Sequence, residues 1–387
     1  TSTSFPTPFA KYPPSPFVAG ADSALMFRAA DHEFMARALA LAERGLLTTT
    51  PNPRVGCVLV RDGVVVGEGW HQRAGEPHAE AHALLAAGEA AKGATAYVTL
   101  EPCSHHGRTP PCCEALQAAG VARVIAAMQD PNPLVAGQGL AWLRDAGIET
   151  AVGLMETEAR ELNIGFVSRM TRGRPWLRLK AAISLDGRTA LTNGESQWIT
   201  GPDARRDGHR WRARACAILT GIGTVRDDDP QLNVREVETS RQPLRVVVDS
   251  HLEMRPDARI LQGGGRVLVV AAVEDALQAH VLESAGAEVI CLPNAAGKVD
   301  LLALLRELAK RGVNELHVEA GFKLNGSLLR EGLVDELLLF IAPSLIGDAS
   351  RGLFNLPELA SLGDKQQLQW RDVRQIGTDL RLIARLL

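Results

Sequence analysis

The chain has 387 residues, of which 46% are hydrophobic and 22% are charged, an ordinary globular composition that predicts two or three domains. Lysine and arginine number 42 against 45 acidic residues, and the net charge of −3 argues against a general electrostatic nucleic-acid binder. No uninterrupted apolar stretch approaches the ~20 residues that a membrane-spanning helix needs. We therefore expect neither a nucleic-acid partner nor a membrane.

The six cysteines are too sparse for a disulfide framework, and three of them fall within residues 103–113, which points to metal binding or catalysis. Residues 1–26 are rich in proline, serine and threonine and lack a charged segment followed by an apolar core. They are expected to form a flexible extension rather than a secretory signal. A reducing compartment, most simply the cytoplasm, follows from both observations.

Helices and strands are predicted to alternate over the first half of the chain. The helices are expected at 27–45, 78–91, 113–119 and 140–146, and the strands at 55–60, 64–70, 95–100, 122–128 and 149–152. Asp62-Gly63 between the first two strands is a strong hairpin signal. The alternation predicts a mostly parallel sheet covered by helices.

A basic stretch with glycine and proline at 170–176 marks the predicted boundary between domains 27–172 and 173–387. Beyond it, strands are expected at 176–184, 217–221, 244–249, 267–271 and 289–292, with helices at 202–216, 274–285 and 299–311. The last strands, at 336–341, 368–373 and 380–386, lack obvious intervening helices. An α/β domain that finishes with antiparallel strands is the expected architecture.

The strongest chemical signal is the combination of His78-Ala79-Glu80 with Pro102-Cys103 and Cys112. One imidazole and two thiolates leave zinc an open coordination position, which a catalytic site requires. Glu80, two residues from the histidine, can move a proton from water to a leaving amine without binding the metal. This pattern is typical of zinc-dependent nucleobase deaminases.

Two simpler interpretations compete with a catalytic zinc. Cys113 would be a fourth ligand of a structural zinc, or His78 is a helix cap and the cysteines only fill the core. The side chains of the adjacent residues Cys112 and Cys113 diverge, so they cannot easily bind one tetrahedral centre. We therefore favour the catalytic interpretation.

The segment CSHHGRTPPC (103–112) replaces the common Cys-x-x-Cys spacing and adds His105, His106 and Arg108 beside the predicted metal. A cation at this place suits an anionic substrate group such as a phosphate. The alternative is that Arg108 is a solvated loop charge.

At these residues the chain resembles the bifunctional riboflavin-biosynthesis deaminase–reductases, from residue 27 to the C-terminus. The most specific motifs are TPNPRVGCVLV (50–60), HAEAHAL (78–84) and TLEPCSHHGRTPPC (99–112). The resemblance implies a cytidine-deaminase-like three-layer α/β/α domain. It also implies that His78, Cys103 and Cys112 bind zinc, that Glu80 is the proton shuttle, that Asn52, His71, Ala79 and His105 contact the pyrimidine and ribose, and that Arg108 contacts the phosphate.

The second half continues the resemblance through LKAAISLDGRTA (179–190), GESQWITGPDAR (194–205), TGIGTVRDDDPQLNVR (220–235), VVVDS (246–250) and ELHVEAG (315–321). It implies a dihydrofolate-reductase-like α/β fold that uses NADPH, although no Gly-x-Gly-x-x-Gly motif follows a strand. By matching position, the substrate residues would be Lys180, Ser196, Arg212, Leu232, Arg235 and Glu319, and the cofactor residues Ala182, Trp198, Thr224, Asp228, Ser250 and Gly321. Many members have Glu-Gly-Gly where this chain has Glu319-Ala320-Gly321, so the Ala320 methyl group is expected to crowd the cofactor.

The expected activity is hydrolytic deamination of 2,5-diamino-6-ribosylamino-pyrimidinone 5′-phosphate, followed by NADPH-dependent reduction of the ribosyl chain to ribityl. The expected partners are these small pyrimidine ribosyl phosphates, and because members of the family often assemble, a homo-oligomer is an allowed state. Two rivals stay open: a nucleic-acid-editing deaminase, and a zinc deaminase whose C-terminal half is a non-catalytic platform.

Overall fold

The computed structural model describes residues 27–105, 111–133 and 135–387. The expected flexible extension at 1–26 and the predicted phosphate ligand Arg108 therefore lie outside the described residues. Among the described residues, no helix combines the length and the apolar composition needed to cross a bilayer.

Residues 29–172 build a five-stranded sheet in the order β2-β1-β3-β4-β5 with helices on both faces, and we call them the N-terminal unit. Its elements are α1 (Ala29–Glu43), β1 (Gly56–Arg61), β2 (Val64–Trp70), α2 (Ala79–Ala87), β3 (Thr95–Val98), α3 (Cys112–Ala118), β4 (Arg123–Ala126), α4 (Gln138–Asp145), β5 (Glu149–Val152), α5 (Glu156–Leu162) and α6 (Ile164–Arg172). The sequence predicted all of these elements except α5 and α6.

The first two strands form the predicted hairpin. Asp62 and Gly63 both adopt positive φ angles, of 53° and 77°, which a tight two-residue hairpin turn requires. The sheet is parallel only from β3 to β5, because β1 pairs antiparallel with both β2 and β3. The expectation of a mostly parallel sheet therefore holds for half of the strand pairs.

The predicted three-layer arrangement is visible in the alternation of side chains along the strands. Val58 and Ile125 face a core shared with α1, α5 and α6. Their sequence neighbours Cys57 and Val124 face the opposite core, shared with α2, α3 and α4. Alternate residues of a strand point to opposite faces of a sheet, so one sheet serves two cores.

Residues 176–386 build a nine-stranded sheet in the order β11-β10-β9-β8-β12-β6-β13-β16-β15, and we call them the C-terminal unit. Its elements are β6 (Trp176–Ser184), β7 (Arg188–Ala190), α7 (Pro202–Arg214), β8 (Ala217–Gly221), α8 (Ile222–Asp228), β9 (Leu244–Val248), β10 (Val267–Ala271), α9 (Ala276–Ser284), β11 (Ala287–Cys291), α10 (Leu301–Lys310), β12 (Glu315–Val318), α11 (Phe322–Arg330), β13 (Glu336–Ala342), β14 (Arg351–Gly352), β15 (Leu368–Ile376) and β16 (Asp379–Leu386).

Neighbouring strands from β11 to β13 are parallel, and the last two pairs of this sheet, β13 with β16 and β16 with β15, are antiparallel, as the sequence predicted for the end of the chain. Parallel strands end at the same edge of a sheet. The residues that follow β6, β12, β8 and β9 therefore gather there, where open α/β sheets commonly bind ligands.

Candidate active sites

Three metal-ligating side chains meet at one point in the N-terminal unit. His78 precedes α2, Cys103 follows β3 and Cys112 begins α3, and their ligand atoms all lie within 4.8 Å of one another. His78 Nδ1 lies 3.6 Å from Cys103 Sγ and 3.3 Å from Cys112 Sγ. Tetrahedral zinc with ordinary bond lengths separates nitrogen and sulfur ligands by about 3.6 Å. The donor set and its spacing therefore fit zinc.

Cys113 does not join this cluster. Its buried sulfur lies 3.4 Å from the backbone oxygen of Pro102 and 3.5 Å from that of Gly139, and its single S–H can donate to either. Burial raises the pKa of the Cys113 thiol to about 12, which keeps it protonated and a poor ligand. Among the described residues the cluster offers three ligands, which would leave zinc one coordination position for a reacting group.

Glu80 lies on the first turn of α2, is buried, and has its carboxyl group within hydrogen-bonding reach of Cys112. Burial is the main cause that raises the pKa of Glu80. A raised pKa suits a group that must both take up and release a proton near neutral pH. The geometry therefore allows a proton shuttle that is not itself a ligand.

Asn52 and His71 form a hydrogen-bonded pair beside the ligands. His71 Nδ1 lies 3.1 Å from the Pro77 oxygen, and a carbonyl only accepts, so Nδ1 carries the proton. His71 Nε2 then accepts from the Asn52 side-chain amide at 3.0 Å. The His71 ring meets the His78 ring edge-on at 5.4 Å between centroids.

The other predicted residues of this site are placed differently. Ala79 is fully buried at the start of α2, whereas His105 is exposed. Glu101 was not predicted as a site residue. It is buried, and its carboxylate accepts the backbone N–H groups of Asp130, Gly137, Gly139 and Leu140. Nothing in the sequence could identify this role, because the partners are backbone groups.

The C-terminal unit contains a cavity of about 1050 Å³ at the carboxyl edge of its sheet. The six predicted substrate residues all line it: Lys180, Ser196, Arg212, Leu232, Arg235 and Glu319. Five predicted cofactor residues line it as well: Ala182, Trp198, Thr224, Asp228 and Gly321. Ser250 is not among the lining residues, and its hydroxyl accepts the Val299 N–H at 3.4 Å.

A charged cluster lies at one wall of this cavity. Glu319 binds Arg212 at 2.9 Å between Oε2 and Nη2, and its Oε2 lies 3.5 Å from Lys180 Nζ. Burial alone would raise the pKa of Glu319, but the two cations hold it well below its usual range. The carboxylate is therefore ionised and fixes both cations in place.

His209 also lines the cavity and was missed, although it lies one helical turn before Arg212 on α7. Its Nδ1 accepts the backbone N–H of Arg235 at 3.4 Å. Burial, together with the charges of Arg212 and Arg235, lowers the pKa of His209 to about 4. The ring is therefore neutral at physiological pH. In the sequence, only the three-residue spacing between His209 and Arg212 indicates that both side chains lie on the same face of α7.

Comparison with known proteins identifies a family for each half of the chain. Residues 28–128 match the family described as "Cytidine and deoxycytidylate deaminase zinc-binding region", and residues 175–382 match "RibD C-terminal domain". The chain is 53% identical to riboflavin biosynthesis protein RibD of Escherichia coli K12 over 364 residues, which covers 91% of this chain and 98% of the relative. It is 51% identical to RibD of Haemophilus influenzae, covering 92% of this chain and 98% of the relative.

Solved structures show the same overall arrangement. Acinetobacter baumannii RibD (form 1) matches with a TM-score of 0.86 and 44% identity, over 92% of this chain and 99% of that one. A Thermotoga maritima protein described as a diaminohydroxyphosphoribosylaminopyrimidine deaminase/5-amino-6-(5-phosphoribosylamino)uracil reductase matches with a TM-score of 0.82 and 33% identity, over 92% of this chain and 99% of that one. The chain therefore belongs to the RibD family, as a bifunctional deaminase and reductase of riboflavin biosynthesis that uses zinc and NADPH.

Proposed function

We propose that residues 27–172 form the deaminase domain, which acts on 2,5-diamino-6-ribosylamino-pyrimidinone 5′-phosphate. The observation that carries this proposal is the three-ligand cluster of His78, Cys103 and Cys112 with the buried carboxyl group of Glu80 against it. Zinc bound there supplies Lewis-acid activation of water. Glu80 would take a proton from the attacking water, whose oxygen forms the new C–O bond, and pass it to the amine, which leaves as ammonia when the C–N bond breaks.

Asn52 and His71 are proposed to orient the pyrimidine. The side-chain amide of Asn52 retains an oxygen acceptor and one N–H donor after its bond to His71, so it can pair with a ring edge that offers both groups. Burial lowers the pKa of His71, which favours the neutral ring that this pair needs. Ala79 and His105 complete the proposed pyrimidine and ribose contacts.

Arg108 is proposed to bind the 5′-phosphate of the substrate. It belongs to the segment between the two proposed cysteine ligands, Cys103 and Cys112, and supplies a cation to that segment. Arginine can bind a phosphate through two parallel charge-assisted hydrogen bonds.

We propose that residues 173–387 form the reductase domain. The supporting observation is the charge of its cavity, which is lined by eight lysine and arginine residues against four aspartate and glutamate residues. This surplus suits two ligands that both carry phosphate groups, as the pyrimidine ribosyl phosphate and NADPH do. The rival interpretation, a non-catalytic platform, gives no reason for such a cavity.

Within this cavity, Arg212, Arg235, Lys180 and Glu319 are proposed to hold the sugar phosphate, with Ser196 and Leu232 beside it. NADPH supplies the hydride when bound. Lys180, whose ammonium group lies 3.5 Å from Glu319, is proposed to hold a sugar oxygen and supply a proton to it. Ala182, Trp198, Thr224, Asp228 and Gly321 are proposed to contact the cofactor, and Ser250 to lie at its far end.

The substrates are proposed to be free small molecules rather than nucleotides within a nucleic acid, since the net charge of −3 offers no general attraction for a polyanion. All six cysteines are free, which supports a reducing compartment such as the cytoplasm. A homo-oligomer is compatible with this proposal, which needs no membrane.

The test is to assay the zinc-loaded full chain with the diaminopyrimidine phosphate, following ammonia release, and then to add NADPH. We expect ammonia first and NADPH oxidation only after it. Deamination of a tRNA but not of the pyrimidine phosphate would contradict the proposal. A full chain that does not change NADPH fluorescence on titration would support the platform interpretation instead.

A further inference from the structure

We propose that Asn314 and Glu315, which belong to the C-terminal unit, are positioning residues for the deaminase site of the N-terminal unit. We call the two residues the Asn314–Glu315 clamp. The inference rests on the proposed role of Asn52 in binding the pyrimidine. It extends that role, because it makes the deaminase site depend on a segment from across the boundary between the units.

The proposed contact of Asn52 with the pyrimidine requires its side chain to be held in one position. Its side-chain amide donates to His71 Nε2 at 3.0 Å, and the His71 ring packs edge-on against the ring of His78, a metal ligand. Asn52 itself lies in the connection between α1 and β1, outside any regular element. Its backbone N–H donates to the Thr49 oxygen at 2.8 Å, and the remaining restraints on its backbone come from contacts made by the residues on either side of it.

The residue before Asn52 is held by Asn314. The side-chain amide of Asn314 donates to the Pro51 oxygen at 3.0 Å, and Asn314 is 5% exposed. The Asn314 side-chain oxygen accepts from Arg169 Nε at 2.6 Å, which fixes the orientation of the amide. Because Pro51 O belongs to the peptide group that carries the Asn52 nitrogen, this bond acts directly on the Asn52 backbone.

Glu315 makes a contact from the C-terminal unit with Arg54, the second residue after Asn52. The Arg54 backbone is also held by Asn163 of the N-terminal unit. Arg54 Nη1 lies 2.7 Å from Glu315 Oε1, and both side chains are nearly inaccessible, at 6% and 1% exposure. Glu315 also binds Arg214 at 2.7 Å and Arg178 at 3.1 Å, both within the C-terminal unit. The carboxylate is thus anchored independently of Arg54, and it can act as a fixed point for the loop.

Helix α6 of the N-terminal unit packs tightly against Asn314 and Glu315 of the C-terminal unit. A Cβ added to Gly165 of α6 would lie 2.5 Å from Glu315 Cγ and 2.6 Å from the backbone oxygen of Asn314. Only glycine permits so close an approach of α6 to the start of β12. The clamp and the Asn52 loop are therefore parts of one packed junction, and a shift at the clamp changes where Asn52 meets the substrate.

The test uses two nearly isosteric variants of the full chain, Asn314→Asp and Glu315→Gln. The first replaces the N–H donor to Pro51 but keeps an oxygen for Arg169, and the second removes the charge that fixes Arg54. We expect each to raise the deaminase KM by about three- to tenfold, the effect of weakening one substrate hydrogen bond, with kcat within about twofold of the parent. Zinc content and the Kd for NADPH should not change.

The matched control is Arg214→Met, which removes another arginine from Glu315 but does not touch the Asn52 loop. It should leave the deaminase KM at the parent value. An unchanged KM in folded Asn314→Asp overturns the proposal, as does a KM increase in Arg214→Met equal to that in Glu315→Gln. Equal losses of kcat in both reactions with constant KM would indicate a merely structural role and also overturn it.

One of the two variants can be replaced by the other, and a third variant is added. If Glu315→Gln does not fold, Asn314→Asp carries the test, because it keeps every ion pair of Glu315. Asn52→Ala separates this inference from the proposed function. If Asn52→Ala leaves KM unchanged, the proposed role of Asn52 fails, whereas a raised KM in Asn52→Ala with parent values in both clamp variants rejects the clamp alone.

Discussion

The carboxylate of Glu101 accepts the backbone N–H of Gly139 at 2.8 Å, which ties the residue two places before a metal ligand to the first turn of α4. Three more backbone N–H groups bind this carboxylate: those of Asp130 and Gly137, which precede α4, and that of Leu140 within it. Gly139 is needed here because an added Cβ would lie 2.0 Å from the Pro102 oxygen. Pro102 and Cys103 are thereby held at a fixed place above the end of β3.

We predict that Glu101→Gln lowers the free energy of unfolding by about 2 to 4 kcal/mol, because an amide cannot accept at both ends and leaves buried N–H groups unpaired. Urea unfolding of the zinc-loaded chain measures this change. The control is Glu89→Gln at an exposed position, which should stay within about 0.5 kcal/mol of the parent. Equal stability of the two variants would show that the Glu101 network contributes nothing.

The second prediction distinguishes the ligands from their neighbour. Cys113→Ser should keep about one zinc per chain, because the Cys113 sulfur lies beside the backbone oxygens of Pro102 and Gly139 rather than facing the cluster. Cys112→Ser should lose most of its zinc, since two ligands bind weakly. Metal analysis after dialysis gives the answer, and equal zinc loss in both variants would reject the three-ligand assignment.

The third prediction concerns the phosphate. Arg108→Ala should raise the deaminase KM more than it lowers kcat, because loss of one charge-assisted contact costs about 1.5 to 3 kcal/mol in binding. Initial rates over a range of substrate concentrations separate the two parameters. Arg144→Ala, an exposed change on α4, is the control. A KM that stays at the parent value for the phosphorylated substrate contradicts the proposed contact.

The fourth prediction follows from the pKa of His209, which falls from 6.5 to about 4 on folding. Between pH 6.5 and about pH 4, the unfolded chain binds a proton at His209 and the folded chain does not. The free energy of unfolding therefore has its full value above pH 6.5 and decreases as the pH falls through this range. Between pH 7 and pH 5 the parent should lose about 2 kcal/mol more than His209→Gln, which cannot titrate. Urea unfolding of both proteins at the two pH values tests this, and identical pH dependence would contradict it.

The parts of the fold that the sequence predicted are those with local signals. Asp62-Gly63 identified the first hairpin because its positive φ angles suit these residue types. The short helix α8 was missed because its seven residues carry little apolar periodicity, and the four-residue strand β12 was recognised only as a motif. Helices α5 and α6 were missed where the basic stretch at 170–176 was interpreted as a boundary.

In the candidate sites, too, residues in local sequence motifs could be predicted, whereas contacts between distant residues could not. His78, Cys103 and Cys112 were predictable because each residue type and its spacing carry metal chemistry in the sequence itself. The contact of Asn314 with Pro51 joins residues separated by 263 positions, and no local pattern encodes it. Glu101 was missed for a related reason, since its role depends on backbone groups brought near by the fold.

The central claim is that two separate sites carry out deamination and reduction, with Glu80 acting only in the first. The most direct measurement assays Glu80→Gln, a nearly isosteric variant, with each substrate in turn and with its zinc content determined. Deamination should fall at least ~10² to 10⁴-fold, the usual contribution of a general acid–base group. NADPH oxidation should continue near the parent rate when the deaminated pyrimidinedione is supplied, and it should stall with the diaminopyrimidine alone. Collapse of both reactions in a folded, zinc-loaded variant would contradict the two-site account.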